Sequence, residues 1–208
     1  MAICFDFKDY VEIVSDTIVG ISALAAAGFA YLGVNTWRKQ LKGKSEYERA
    51  KETLKSVYRV RDAFKHVRGP AIFSSEYPEE MRDHHGSLKK EYEHKGMLAV
   101  YEARWKFLAE AFHELEEKTL EAQVEWGPEF ENVIIPLRQC KAELLVTIQM
   151  MLERKKEPES FEPMTREDSQ KERAILYYHD DSKYDSFTPK INAAILEFET
   201  KLRPHIGK

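Results

Sequence analysis

Cysteine is scarce in this chain. Cys4 and Cys140 are the only two in 208 residues, and no C-x-x-C spacing occurs, which argues against both a disulfide framework and a thiolate zinc site. Glycine and proline are few, at nine and eight, and no glycine-rich segment has the spacing of a phosphate-binding loop. There is no G-x-S-x-G, no H-E-x-x-H, and no H-x-E followed by P-C-x-x-C, so the common hydrolase, zinc-protease and deaminase signatures are missing. No alternating apolar pattern of strand length and no internal repeat is found. The net charge is only -4, too small to call for a nucleic-acid partner, and none is expected. The most informative lack is local: from Thr17 to Trp37 there is no formally charged residue.

That stretch, TIVGISALAAAGFAYLGVNTW, is closed by Asp16 and Arg38. At about 1.5 Å rise per residue, a helix of this length covers the roughly 30 Å hydrocarbon core of a bilayer. The acidic leader, with Asp6, Asp9, Glu12 and Asp16 against Lys8, is unlike the basic start of a signal peptide. Arg38, Lys39, Lys42 and Lys44 crowd the other end. The positive-inside rule then places the N-terminus outside and residues 38–208 in the cytoplasm, with Tyr31 and Trp37 at the inner interface. Cys4 and Cys140 fall on opposite sides of such a span and cannot pair within one chain. Cys140 lies on an apolar stripe and is expected to be a small buried residue. Ser22, Ala26 and Ala30 recur every fourth residue, the small-x-x-x-small pattern through which helices approach closely in lipid, so self-association through this face is expected. Arg38, Lys39, Lys42 and Lys44 are candidates for contact with lipid headgroups.

Everything beyond the span is charged and helical in pattern. Residues 38–68 carry eleven Lys/Arg against four Asp/Glu, and residues 110–131 carry eight Asp/Glu against one Lys. Helices are expected at about 45–68, 87–126, 129–156, 167–178 and 189–203. In the first, Tyr47, Ala50, Leu54, Val57 and Phe64 step along one seam with Arg61 in the gap. Ser45 and Glu48 have the spacing of a capping box, unless the helix runs on through Gly43 from the span. Arg61 is the candidate buried arginine, to be paired across a helix interface or to extend its head group to solvent. Gly69-Pro70 stops this helix. In the second, Leu98, Tyr101, Trp105, Leu108, Phe112 and Leu115 alternate steps of three and four, a coiled-coil-like repeat. Gly127-Pro128 ends it. In the third, Phe130, Val133, Leu137, Cys140, Leu144, Ile148 and Met151 form the stripe, with Pro136 either kinking the helix or marking its start. A Pro- and charge-rich linker follows. The last helix begins with Thr188 as cap and Pro189 in first position, buries Ile191, Ile195, Phe198 and Leu202, and ends at Pro204.

The fold class these patterns give is all-α: a short extracytoplasmic leader (1–16), a transmembrane helix (17–37), and an antiparallel cytoplasmic helical bundle (38–208) with long coiled-coil-like helices. If its first two helices are antiparallel, the basic start of one lies beside the acidic end of the other.

Candidate chemistry is sparse. Glu91–His94 and Glu110–His113 have the E-x-x-H spacing of di-iron bundles, but both fall on one expected helix, whereas such sites draw on several. His84-His85 beside Asp83 reads as a polar loop, since neighbouring side chains on a helix point about 100° apart. His179-Asp180-Asp181 lacks an identifiable nucleophile or ligand partner. No catalytic residue, cofactor or metal is assigned.

Three stretches, residues 35–64 (NTWRKQLKGKSEYERAKETLKSVYRVRDAF), 126–130 (WGPEF) and 191–206 (INAAILEFETKLRPHI), together resemble a group of uncharacterised bacterial proteins that carry one N-terminal membrane helix and a helical cytoplasmic domain. The resemblance spans most of the chain and implies placement in the bacterial inner membrane. It brings no activity and no site residues. The functional expectation is a membrane-tethered, oligomeric, non-enzymatic interaction or scaffold module, with membrane lipids, further copies of itself and an unidentified protein as partners. The alternatives are a membrane-perturbing effector in bacterial stress or phage defence, and a metal-dependent helical-bundle enzyme built around Glu91 and His94.

Overall fold

In a computed structural model, residues 7–179 and 184–207 are described. All of the regular structure in them is helical: α1 Phe7–Val67, α2 Glu93–Trp126, α3 Ile135–Lys156, α4 Arg166–Leu176 and α5 Phe187–Ile206, joined by short 3-10 turns. The one β-type contact among the described residues is an isolated bridge between Arg82 and Leu88. The chain divides into two units, Met1–Tyr47 and Glu48–Lys208. Cys4 and the start of the leader lie outside the described residues.

The first unit holds the apolar part of α1. Every residue from Val14 to Ser45 is exposed. α1 continues through Gly43 and Ser45, so Ser45 and Glu48 do not form a helix start. A lone glycine costs a helix only about 1 kcal/mol, and the Lys, Leu, Glu and Ala around it are good helix formers.

The second unit has its own core. Residues 48–67 of α1 contribute Ala50, Val57, Val60, Phe64 and Val67, all buried. Thr53 and Ser56 are buried with them, their hydroxyls donating to the carbonyls of Arg49 (2.9 Å) and Thr53 (2.8 Å). Tyr47, placed on the seam from sequence, is exposed. α1 stops where expected, before Gly69-Pro70, with Lys65 and His66 in its last turn, where cations suit the negative end of the helix dipole.

α2 begins at Glu93 rather than near residue 87. Asp83 explains the delay: its Oδ1 accepts from the backbone N–H groups of His85 and Ser87, both at 2.9 Å, and Gly86 supplies a φ of +81°. This turn occupies the residues that would otherwise start a helix. Along α2, Tyr101, Leu108, Phe112 and Leu115 are buried, Trp105 is half-buried and Leu98 is exposed. Gly96, Val100, Arg104, Thr119 and Ala122 complete the buried face. A helix at 3.6 residues per turn drifts by about 20° per heptad from a strict 3.5-residue seam, which moves Leu98 out and Val100 and Arg104 in.

The third stripe is buried throughout, from Phe130 and Val133 to Met151. Pro136 sits in the first turn of α3, where its missing N–H has no helical partner to lose. Two expectations for α5 are corrected. Its cap is Asp185 rather than Thr188: the Asp185 Oδ1 accepts from the N–H groups of Phe187 (3.1 Å) and Thr188 (2.8 Å). Pro204 lies inside the helix, which runs on to Ile206. In a final turn the ring removes one backbone bond and leaves little helix beyond it to disrupt. Ile191, Ile195, Phe198 and Leu202 face the core.

Polar contacts between helices follow a fixed order. Moving up α1, Arg49 meets Glu125 (3.3 Å) and Glu121 (3.6 Å), Glu52 meets Lys118 (3.5 Å), Arg59 pairs with Glu114, and Phe64 packs edge-on against Phe112. α3 is tied to α2 by Arg138–Glu116 (2.9 Å), to α4 by Arg154–Glu172 (2.8 Å) and to α5 by Lys190–Glu143 (2.9 Å). The Tyr58 hydroxyl donates to Glu199 at 2.6 Å, joining α1 to α5.

Candidate functional site

The apolar surface of α1 is the first candidate. It is the one helix among the described residues that is long and apolar enough, by length and composition, to cross a membrane. Its best 18-residue window has a mean hydropathy of 1.8, and none of that window is buried. Leu24 and Phe29 are each 75 % exposed. Ser22, Ala26 and Ala30 stand one turn apart on this helix, all exposed. The Ser22 hydroxyl donates to the Ile18 carbonyl at 2.8 Å, so its polarity is satisfied within the helix, as an apolar medium requires. A methyl group built on Gly20, Gly28 or Gly33 would meet nothing within 4 Å. Arg38, Lys39, Lys42 and Lys44 are exposed in the turns that follow, and the Lys42 ammonium lies 3.8 Å from Glu46.

Two arginines that sequence reasoning passed over are heavily hydrogen-bonded in the second unit. Of the two alternatives for Arg61, the structure shows the head group partly exposed and bonded to its neighbour Asp62 at 2.8 Å, with no pairing across a helix interface among the contacts of the described residues. Arg68, one turn on from Phe64, is 1 % exposed. Its guanidinium donates to the carbonyls of Ala174 (2.9 Å), Ile175 (2.8 Å) and Tyr177 (3.0 Å), to the Thr188 hydroxyl (2.7 Å) and to Asp185 (2.8 Å). It thus caps the C-terminal end of α4 and, through Asp185, the start of α5. Burial pushes the Asp185 carboxyl up, but hydrogen bonds from the Thr188 hydroxyl and N–H, the His179 N–H and Arg68 outweigh it and hold its pKa below the usual aspartate value. Burial pulls the Arg68 pKa down, against the opposing effect of Asp185.

Arg104, on the buried face of α2, donates to the carbonyls of Gly69 (2.8 Å) and Ala71 (2.6 Å) and to both oxygens of Glu76 (2.6 and 2.9 Å). It pins the chain after α1 onto α2. The Arg104 bond lowers the Glu76 pKa, helped by the Phe73 N–H. The sequence signal for both arginines is a cation at a position continuing an apolar stripe: 68 just past the end of α1, after 57, 60 and 64, and 104 between 101 and 108 in α2.

Two clefts adjoin these arginines. One, of about 810 Å³, is lined by Tyr177, Tyr178, Tyr184, Lys171 and Arg173. It borders the His179-Asp180-Asp181 cluster, of which Asp180 and Asp181 lie outside the described residues; the His179 ring packs on Tyr184. The other, of about 580 Å³, lies between the end of α1, the following loop and α2, and includes Phe73, Phe107 and Val100. The metal-type pairs are not drawn together: Glu91 is exposed, His94 is half-buried, and His113 is exposed beside Glu117 (3.7 Å). Among the described residues no group of three or more His, Cys, Asp or Glu side chains could hold a metal ion. Cys140 is buried, and burial pushes its thiol pKa up, which makes it a poor nucleophile. Compared with protein-family models, curated proteins and solved structures, the chain gives no match.

Proposed function

We propose that this chain is a membrane-tethered, non-enzymatic helical interaction module. In this reading α1 crosses a bacterial inner membrane once with the N-terminus outside, and an antiparallel bundle of long helices stands in the cytoplasm and engages a protein partner. The observation that carries it is the exposure of α1. Nine large apolar side chains between Ile18 and Trp37 are exposed by half or more. At roughly 1.5–3 kcal/mol per side chain, covering them is worth on the order of 20 kcal/mol, which a bilayer supplies without any specific partner. The cluster Arg38, Lys39, Lys42 and Lys44 favours the stated orientation and contact with anionic headgroups. The antiparallel arrangement is supported by the order of contacts between α1 and α2, whose partners fall from Glu125 to Phe112 as α1 rises from Arg49 to Phe64.

Alkaline carbonate extraction of bacterial membranes tests the tether. The full chain should stay in the pellet, and release into the supernatant would end the proposal. For the orientation, an impermeant thiol reagent applied to intact cells should label Cys4 and not a cysteine placed at Ser45.

The face of Ser22, Ala26 and Ala30 makes the module an oligomer in this reading. With Cys4 and Cys140 replaced, single cysteines at positions 22, 26 and 30 should form disulfide dimers in membranes more readily than one at Leu24. Equal crosslinking at all four positions would reject a defined interface.

A further inference from the structure

The groove between Phe73 and Phe107 combines two features that surface clefts seldom share. Its walls are aromatic and open: Phe73 is 67 % and Phe107 62 % exposed. Phe107 packs edge-on against the His66 ring, centroids 5.1 Å apart, and Val100, which also lines the groove, is buried. Large exposed aromatic rings beside a concave apolar floor are the usual anchors of a protein interface. The charge of the groove is one-signed as well. Its one acidic lining residue, Glu76, has both oxygens engaged by Arg104 and accepts from the Phe73 N–H at 2.9 Å. That pair cancels, and the remaining ionisable lining groups are His66 and Lys65, whose ammonium also lies over the Tyr178 ring at 5.0 Å from its centroid.

We propose that this groove is the docking site for an apolar segment of a partner protein that carries Asp or Glu beside its apolar anchor. The proposal rests on the interaction-module reading and names the partner's chemistry and where it binds. Apolar side chains of the partner enter between the two phenylalanine rings, and the adjacent carboxylate meets Lys65. The groove is preorganised, because Arg104 ties the loop that carries Phe73 to α2 through Gly69, Ala71 and Glu76, so little ordering cost is left for binding.

The test is selection of phage-displayed random dodecapeptides on the full chain in detergent micelles, followed by fluorescence anisotropy with the enriched peptides. The expected enrichment is for one or more large apolar residues next to Asp or Glu. Phe73→Ser and Phe107→Ser should each weaken binding by about tenfold or more, the loss expected of an anchor residue, and Lys65→Glu should weaken it where Lys65→Arg does not. Phe73 and Phe107 are exposed, and circular dichroism should show the helix content of each variant unchanged; if Phe107→Ser unfolds, Phe73→Ser and Lys65→Glu decide. Enrichment of basic peptides, no enrichment, or binding that survives these substitutions overturns the proposal, as does displacement of the peptides by a simple carboxylate amphiphile such as decanoate at equal affinity. Because the experiment is done in micelles, its failure leaves the membrane tether standing, while failure of the carbonate extraction leaves the groove to be judged by these binding data alone.

Discussion

At the scale of single residues, Arg68 and Asp185 decide how the C-terminal part of the second unit is assembled. Both are 1 % exposed, and both Asp185 oxygens accept hydrogen bonds. Removing one member of such a pair leaves an uncompensated buried charge, at a cost of about 3–5 kcal/mol. Asp185→Ala should lower the free energy of unfolding by about that much in urea titrations of the full chain in detergent, whereas Arg61→Ala, which breaks a surface contact with Asp62, should change it by about 0.5 kcal/mol or less. The pH dependence has a definite sign. The native Asp185 carboxyl has a lowered pKa, so the unfolded chain binds the proton more readily. The stability it contributes is therefore whole above the unfolded aspartate value of about 3.9 and is lost as pH falls below it towards the native value. Asp185→Asn should flatten that acid limb of the stability profile. An unchanged limb would show that Asp185 does not contribute to it. Tyr101, pushed up to about 12 by burial, should stay protonated through any pH at which the fold survives.

At the scale of elements, helix ends are set by backbone chemistry that single residues carry. Gly127 holds φ +109° and ψ 172°, a conformation almost confined to glycine. It ends α2 and lets Pro128–Phe130 turn the chain towards α3. Gly127→Ala should destabilise the chain by about 1–3 kcal/mol, read as a shift in the urea midpoint at unchanged slope. Gly43 is the opposite case. A methyl group there meets nothing within 4 Å, and the backbone is helical, so Gly43→Ala should favour α1 by about 0.5–1 kcal/mol. A peptide of residues 38–60 carrying that change should be more helical by circular dichroism; equal helicity would argue against a continuous α1 in solution. The amphipathic stripes of α3 and α5 were largely legible in sequence, because both helices pack along most of their length and their apolar residues recur at helical spacing; Leu152, Phe187 and Ala194 are buried beside them without having been read from that spacing. The start of α2 was not, because a side-chain turn at Asp83 competes locally with the helix and leaves no apolar signature.

At the scale of the whole molecule, the two units make different demands on the solvent. The unit Glu48–Lys208 buries its own apolar residues, and the apolar stretch of α1 exposes nearly all of its own. In the membrane-tethered reading proposed above, a charge in the middle of that stretch bears on the membrane and not on the core. Leu24→Arg carries an insertion cost of about 2.5–3.5 kcal/mol at the centre of a span, and should move a measurable fraction of the chain out of the carbonate-resistant pellet. The same variant should leave the urea midpoint of the second unit unchanged. A change in that midpoint would mean that the stretch packs on protein.

The sequence alone determined that the regular structure of the described residues is helical, that one segment is long and apolar enough to cross a membrane, and most of the residues of α3 and α5 that face a core. These follow from local composition and period, which need no knowledge of neighbours. Only the tertiary structure decided that Arg68 and Arg104, rather than Arg61, are the buried cations, that Asp185 caps α5, and that Phe73 and Phe107 flank one groove. The reason is physical: a charge is buried only where distant backbone carbonyls and carboxylates converge on it, and for Arg68 those partners lie more than a hundred residues away. The same holds for the groove, whose walls are 34 residues apart in the chain and line one cleft because Arg104 holds the intervening loop in place.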